Sequence, residues 1–261
     1  MNLAISNIAW QTEMDQKVYE MMRKYGYSGL EIAPTRIFPE APYDRINEAK
    51  IWAQEIKEKE GFCIPSMQSI WFGRQEKIFG TGEERRILLE YTKKAIDFAE
   101  AIGCGNLVFG CPRNRNLPED VDSSIAISFF KEIGDYALMH NTVIGMEANP
   151  SIYNTNYIND TLSALELIEK VNSKGFLLNL DIGTMVVNEE KVSELEGKVH
   201  LISHVHISEP GLKTITQRKL HKELLGVLYK EGYDKFVSIE MGKHDDLIAL
   251  VDVLNYVRSL A

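Results

Sequence analysis

The chain has 261 residues, room for one large domain or two small ones. Its composition, 44% hydrophobic and 26% charged, can bury a sizeable core, which excludes a disordered chain and a small disulfide-stapled scaffold. The net charge of −9 lacks the basic excess that binds nucleic acid, and no apolar run approaches the roughly 18 residues of a membrane span, so neither partner is expected. Cys63, Cys104 and Cys111 form no CxxC pair and read as free thiols. Met1 to Trp10 hold no Lys or Arg and no long apolar run, so no signal peptide is read there and the expected location is the cytoplasm.

Strand and helix patterns alternate along the chain. Short apolar or β-branched runs bounded by Gly, Pro or Asn mark strands; apolar residues spaced by three and four mark helices. The first pair is Leu3–Ala9 and a helix from Thr12 to Tyr25, with Thr12 as N-cap. Gly29–Ala33, stopped by Pro34, precedes a helix over Tyr43–Glu60. The third strand is Cys63–Ile70, followed by an aromatic, Gly-containing loop and the helix Glu83–Ile102. Asn106–Gly110 and a helix over Val121–Met139 complete the fourth unit. The second half reads as strands Val143–Ala148, Phe176–Ile182, Ile202–Ser208 and Phe236–Met241. Their helices are Thr161–Val171, a weaker Asn188–Leu195, Thr216–Glu231 and Asp245–Leu260. Strict alternation argues a parallel sheet, and eight units without a remainder argue its closure into a (β/α)₈ TIM barrel of one domain, residues 1–261. The rival, an open doubly wound sheet, obeys the same local rules.

Polar residues interrupt the last four strands near their C-terminal ends: Glu147 in Gly-Met-Glu-Ala-Asn-Pro, Asp181 in Asn-Leu-Asp-Ile-Gly, His206 in His-Val-His-Ile and Glu240 in Ser-Ile-Glu-Met. Their separations of 34, 25 and 34 residues place one group per unit, at one level of the barrel. Three carboxylates converging on one mouth repel one another and are poorly solvated; a divalent cation removes the conflict. Carboxylates with an imidazole suit Mn²⁺, Co²⁺, Mg²⁺ or Zn²⁺, leaving positions open for substrate. A single strand-end glutamate would read as an ion pair; four groups in register read as a metal site.

These strand ends resemble the xylose isomerase-like barrel superfamily, above all its sugar-phosphate isomerase/epimerase and ketose 3-epimerase branch. The resemblance runs over nearly the whole chain and rests on Glu147, Asp181 with Gly183, His204 with His206, and Glu240. It implies one metal on Glu147, Asp181, His206 and Glu240, with Glu147 and Glu240 as the acid/base pair on opposite faces of a sugar. It also implies a homo-oligomer. Three positions depart from the pattern: Thr184 stands where the family often has His, Tyr153 where the epimerases carry a second Glu, and Leu212 where they carry Arg. These family residues grip the sugar, so the departures touch substrate choice rather than the metal core.

Other candidates surround the mouth. Arg113 and Arg115 follow the fourth strand and offer a clamp for a phosphate or carboxylate; a solvated loop is the plain alternative. Lys243 follows the eighth strand, where barrels often hold phosphate. Gln68, with Trp71 and Phe72, ends the third strand and offers a substrate contact. Glu209 reads as a substrate contact or a partner of His206, and Glu31 as a substrate contact or a structural ion pair. His204 is read as facing the helices, opposite to His206, and Cys111 as inert. The expected function is a metal-dependent isomerase or epimerase of a sugar or sugar phosphate. A dehydratase of a cyclic polyol or keto-acid starts from the same proton abstraction. An endonuclease IV-like enzyme needs further His and Asp ligands that are missing, and the intact ligand set speaks against a non-catalytic sugar sensor.

Overall fold

The computed structural model describes residues 1–261. Seven parallel strands form one curled sheet: β1 (Asn2–Ser6), β2 (Gly29–Glu31), β3 (Asn106–Phe109), β4 (Val143–Met146), β5 (Phe176–Asp181), β6 (Ile202–Ser208) and β7 (Phe236–Glu240), in the order β2-β1-β7-β6-β5-β4-β3. The segment expected as a third strand lies between the two edges. It forms only isolated bridges, Gly29 with Cys63, Ile32 with Met67 and Met67 with Leu107. Its backbone still bonds both neighbours: Leu30 N–H donates to Cys63 O at 2.9 Å, and Met67 N–H to Asn106 O at 2.9 Å. Pro65 removes one ladder donor, and Ser69 turns the chain at a φ of 56°. Eight positions therefore close the barrel, and the protein is a (β/α)₈ barrel with one irregular stave.

Helices α1 (Asp15–Lys24), α2 (Pro34–Ile37), α3 (Ile46–Glu55), α4 (Gly82–Ile102), α5 (Ser124–Met139), α6 (Thr161–Val171), α7 (Ile182–Val187), α8 (Lys219–Lys230) and α9 (Leu247–Leu260) occupy the connections. α4 opens on a capping box, in which Thr81 and Glu84 satisfy each other's backbone N–H groups. The apolar core lies between the outer face of the sheet and these helices. Phe130 of α5, for instance, stacks on Phe176 of β5 with ring centroids 4.8 Å apart. Buried aliphatic side chains such as Ile5, Leu107, Leu180, Val205 and Ile239 each stabilise the fold by roughly 1.5–3 kcal/mol.

The inner face is different. Period-two alternation turns Ser6, Glu31, Asn106, Asn179, His204, His206 and Ser238 inward, and all are buried. A barrel interior is ordinarily filled by branched apolar layers; here it is polar, and the upper layer is the site.

The helix expected over Asn188–Leu195 is displaced. α7 begins directly after β5, because the Asp181 side chain accepts the Thr184 N–H and caps it; only a 3₁₀ turn, Val192–Leu195, follows. Gly183 of the Asp-x-Gly motif is inside that helix.

Candidate metal centre

The barrel brings Glu147, Asp181, His206 and Glu240 together, with one ligand atom from each lying within 4.8 Å of all the others. Both glutamates meet the His206 ring at one atom: its Nδ1 is 3.0 Å from Glu147 Oε1 and 3.4 Å from Glu240 Oε2. Its Nε2 faces the opposite way, 2.9 Å from Glu31 Oε2. An ionised Glu31 accepts the Nε2 proton, which fixes the ring and presents Nδ1 to the cluster.

The cluster is held by polar neighbours. Asn179 donates to Glu147 Oε1 at 2.9 Å, and Asn149 to Glu147 Oε2 at 3.3 Å. The Ser208 hydroxyl donates to Asp181 Oδ1. The second Asp181 oxygen takes the Thr184 N–H at 2.7 Å and its hydroxyl at 2.9 Å. Gly110 makes room for Glu147, since a Cβ there would stand 2.8 Å from Glu147 Oε2.

Electrostatics expose the conflict between the acids. Burial and the neighbouring Glu147 push Asp181 up to about 6. Burial, together with Glu147 and Asp181, pushes Glu240 up to about 7 against the pull of His206. Burial alone would lower His206, but the carboxylates of Glu31 and Glu240 outweigh it and hold the imidazole well above its usual range. The carboxylates thus draw positive charge onto the imidazole, at the point where a cation has its strongest electrostatic claim. Three carboxylates and one imidazole in a water-poor pocket fit a divalent ion.

The remaining sequence-predicted residues fall into distinct places. His204 shares the inward face with His206, correcting the expectation that it faces the helices; residues two apart on a strand point the same way. Its Nε2 lies 2.8 Å from Glu31 Oε2, so one buried carboxylate serves two imidazoles. Burial opposes the ionisation of Glu31, and the two histidines overcome it, holding the carboxyl well below the usual range. The ion-pair reading of Glu31 is the one the geometry holds. Gln68 is buried one layer behind, donating to Ser6 Oγ at 2.7 Å and to Glu31 Oε1 at 3.4 Å.

Arg115 is fully buried, with both terminal nitrogens engaged and only Nε left without a partner, which does not fit an anion clamp. It donates to Glu147 O at 2.8 Å, Asn149 Oδ1 at 2.9 Å and Ile158 O at 3.3 Å. Ile158 sits at a φ of 58°, a strained position for a β-branched residue, and its carbonyl also takes the Asn149 N–H at 3.1 Å. Arg115 thereby pins the loop after β4 rather than meeting a ligand. Arg113 is exposed on the same turn. Glu209 is paired with Arg218 through contacts of 2.8 and 2.6 Å and also accepts from Thr216. Lys243 is exposed and lines a cleft beside the mouth. Cys111 is inert: burial pushes its thiol up to about 12.

Sequence reasoning did not single out Asn179, Ser208, Asn149 or Gly110. For Asn179 and Ser208 the signal was present: each stands two residues from a ligand on the same strand face. The Tyr153 hydroxyl accepts the Gly211 N–H at 2.9 Å, so the loops after β4 and β6 meet at one of the positions that depart from the family pattern.

The chain belongs to the xylose isomerase-like TIM barrel family, whose model matches residues 19–259. Among solved structures it resembles a 3-keto-D-glucoside 4-epimerase from E. coli, at 19% identity over 99% of both chains with a TM-score of 0.78. A D-psicose 3-epimerase from Clostridium cellulolyticum H10, solved with D-tagatose, matches at 14% identity over 100% of this chain and 96% of that one, with a TM-score of 0.73. A family 2 AP endonuclease from Brucella melitensis matches at 18% identity over 98% of both, with a TM-score of 0.74. Sequence comparison with curated proteins gives no match. At these identities the likeness establishes the fold, which hosts more than one chemistry. No helix is long and apolar enough to cross a membrane.

Proposed function

We propose that this protein is a divalent-metal-dependent isomerase or epimerase of a sugar or sugar phosphate, with Glu147 and Glu240 exchanging a proton at a carbon next to a carbonyl. The observation that carries the reading is the convergence of these two carboxylates on one atom, His206 Nδ1, at 3.0 and 3.4 Å, in a cluster with Asp181. Sugar epimerases among the structural neighbours support it.

Glu147, Asp181, His206 and Glu240 would hold the cation, which supplies Lewis-acid stabilisation of negative charge on a substrate oxygen. The side chains do the proton work. One glutamate takes the proton from carbon, and the C–H electron pair becomes the new C=C bond as the carbonyl π pair moves to oxygen. The other glutamate returns a proton to the opposite face, giving the inverted carbon. Glu31 holds the His206 ring through Nε2, and Tyr153 helps to cover the mouth.

Metal-loaded protein is incubated in D₂O with ketoses, aldoses, their phosphates and inosose-like cyclic ketones, and deuterium is read at each carbon by NMR. Epimer or isomer formation is expected. Loss of water would instead identify a dehydratase. Glu147→Gln and Glu240→Gln should each lower turnover by about 10²–10⁴-fold. Wild-type turnover in both variants would refute the two-glutamate mechanism. We expect the working form to be a homo-oligomer in the cytoplasm; sedimentation of the purified protein tests the assembly.

A further inference from the structure

The loops that leave β6 and β7 enclose an open cleft of about 620 Å³ beside the metal centre. Lys213, Arg218, Lys243 and His244 line it, and Glu209 is its only carboxylate. Glu209 is consumed by Arg218 and Thr216, through contacts between 2.5 and 2.8 Å. The ammonium groups of Lys213 and Lys243 form no ion pair, and both side chains are exposed. With Arg218 and Glu209 compensating each other, the two lysines leave a locally positive wall on a chain whose net charge is −9. Thr214 adds a hydroxyl, placed 2.6 Å from His244 Nε2.

The cleft is tied to the reacting centre by short spans of chain. Gly242 is two residues past Glu240, at most about 7 Å along the backbone. Its N–H donates to Leu212 O at 2.7 Å, joining the two loops into one rim. Glu209 follows Ser208, whose hydroxyl donates to Asp181. A five- or six-carbon sugar spans a comparable distance, so a substrate with its carbonyl end at the cluster can place its far end in the cleft.

We infer that this cleft is an anion subsite, and that the substrate is a sugar bearing a phosphate or carboxylate at the end remote from the reacting carbon. Lys213 and Lys243 carry the recognition. The inference rests on the proposed isomerase reading for its substrate, but the subsite itself is testable without turnover. Arg115 is unavailable to such a ligand because it is buried among backbone carbonyls.

The probe is inorganic phosphate, titrated at low salt and followed by calorimetry or ³¹P NMR. Saturable binding is expected to the wild-type protein and, within about twofold, to Asp181→Asn/His206→Ala, which lacks the metal centre. Lys213→Ala/Lys243→Ala should weaken it roughly tenfold, the sum of two exposed charge contacts. No saturation of the wild type, or binding that survives loss of both lysines, would overturn the subsite. A second arm separates free phosphate from a substrate phosphate. In the D₂O assay a ketose phosphate should show a lower KM than the same neutral ketose, and the ratio should collapse towards one in the lysine variant. Equal KM values in the wild type would overturn the substrate class while leaving the isomerase standing. Exchange with no panel member would count against the isomerase and leave the phosphate titration to decide the subsite.

Discussion

The two halves of the barrel carry the same architecture and divide the labour. The second half, β4 to β7, supplies every group that meets at the cluster: Glu147, Asp181, His206 and Glu240. The first half supplies none, yet its inward residues stand behind them. Glu31 orients His206 and lies against His204, Gln68 backs Glu31, and Gly110 withholds a side chain so that Glu147 has room. A ligand set is therefore only as well placed as the staves opposite it, and the supporting half is recognisable by being polar where a barrel interior is ordinarily apolar.

The comparison can be broken most sharply from the ligand side. Asp181→Asn combined with His206→Ala removes two of four donors, and elemental analysis should find the metal gone, against about one ion per chain in the wild type. Wild-type metal content in that variant would mean that the second half is not the binding half. A substitution on the supporting side should cost less. Glu31→Gln keeps the shape but removes the charge that fixes the His206 ring, and metal affinity should fall about 10–100-fold by competition titration. An unchanged affinity would reduce Glu31 to packing. The smallest effect is one of acidity. Glu240 and Asp181, raised to about 7 and about 6, hold protons that a cation must displace, as does His206. Metal affinity should accordingly fall as pH drops through 7 and then 6, by about tenfold per unit where one proton is displaced. A flat profile between pH 5.5 and 7.5 would show that the acids are already ionised in the metal-free protein.

Much of this was legible in the chain because a barrel repeats. The four cluster residues recur once per strand–helix unit, so spacing alone aligned groups that lie up to 93 residues apart in sequence. Contacts that cross the barrel were not legible. Nothing local to Glu31 announces that it meets His206, 175 residues away. Arg115 looked like an anion clamp because a loop arginine after a strand end has the right address. Only the tertiary structure shows that its donors hold Glu147, Asn149 and the strained Ile158. The irregular third stave followed from a visible residue, Pro65, whose missing N–H breaks the ladder without opening the barrel. His204 was misplaced by an error of parity: two steps along a strand return to the same face.

Asp181 belongs to two structures at once, the cluster at the barrel mouth and the first turn of α7, which it caps through Thr184. Substitutions there differ in what they remove. Asparagine caps a helix about as well as aspartate, so Asp181→Asn takes away a negative charge and leaves the helix start intact. Alanine takes away both, and the lost cap should cost about 1 kcal/mol, a drop of roughly 2–4 °C in Tm for a chain of this size. Melting the two variants side by side in a chelating buffer therefore separates the part of this carboxylate that builds the barrel from the part reserved for the proposed ion.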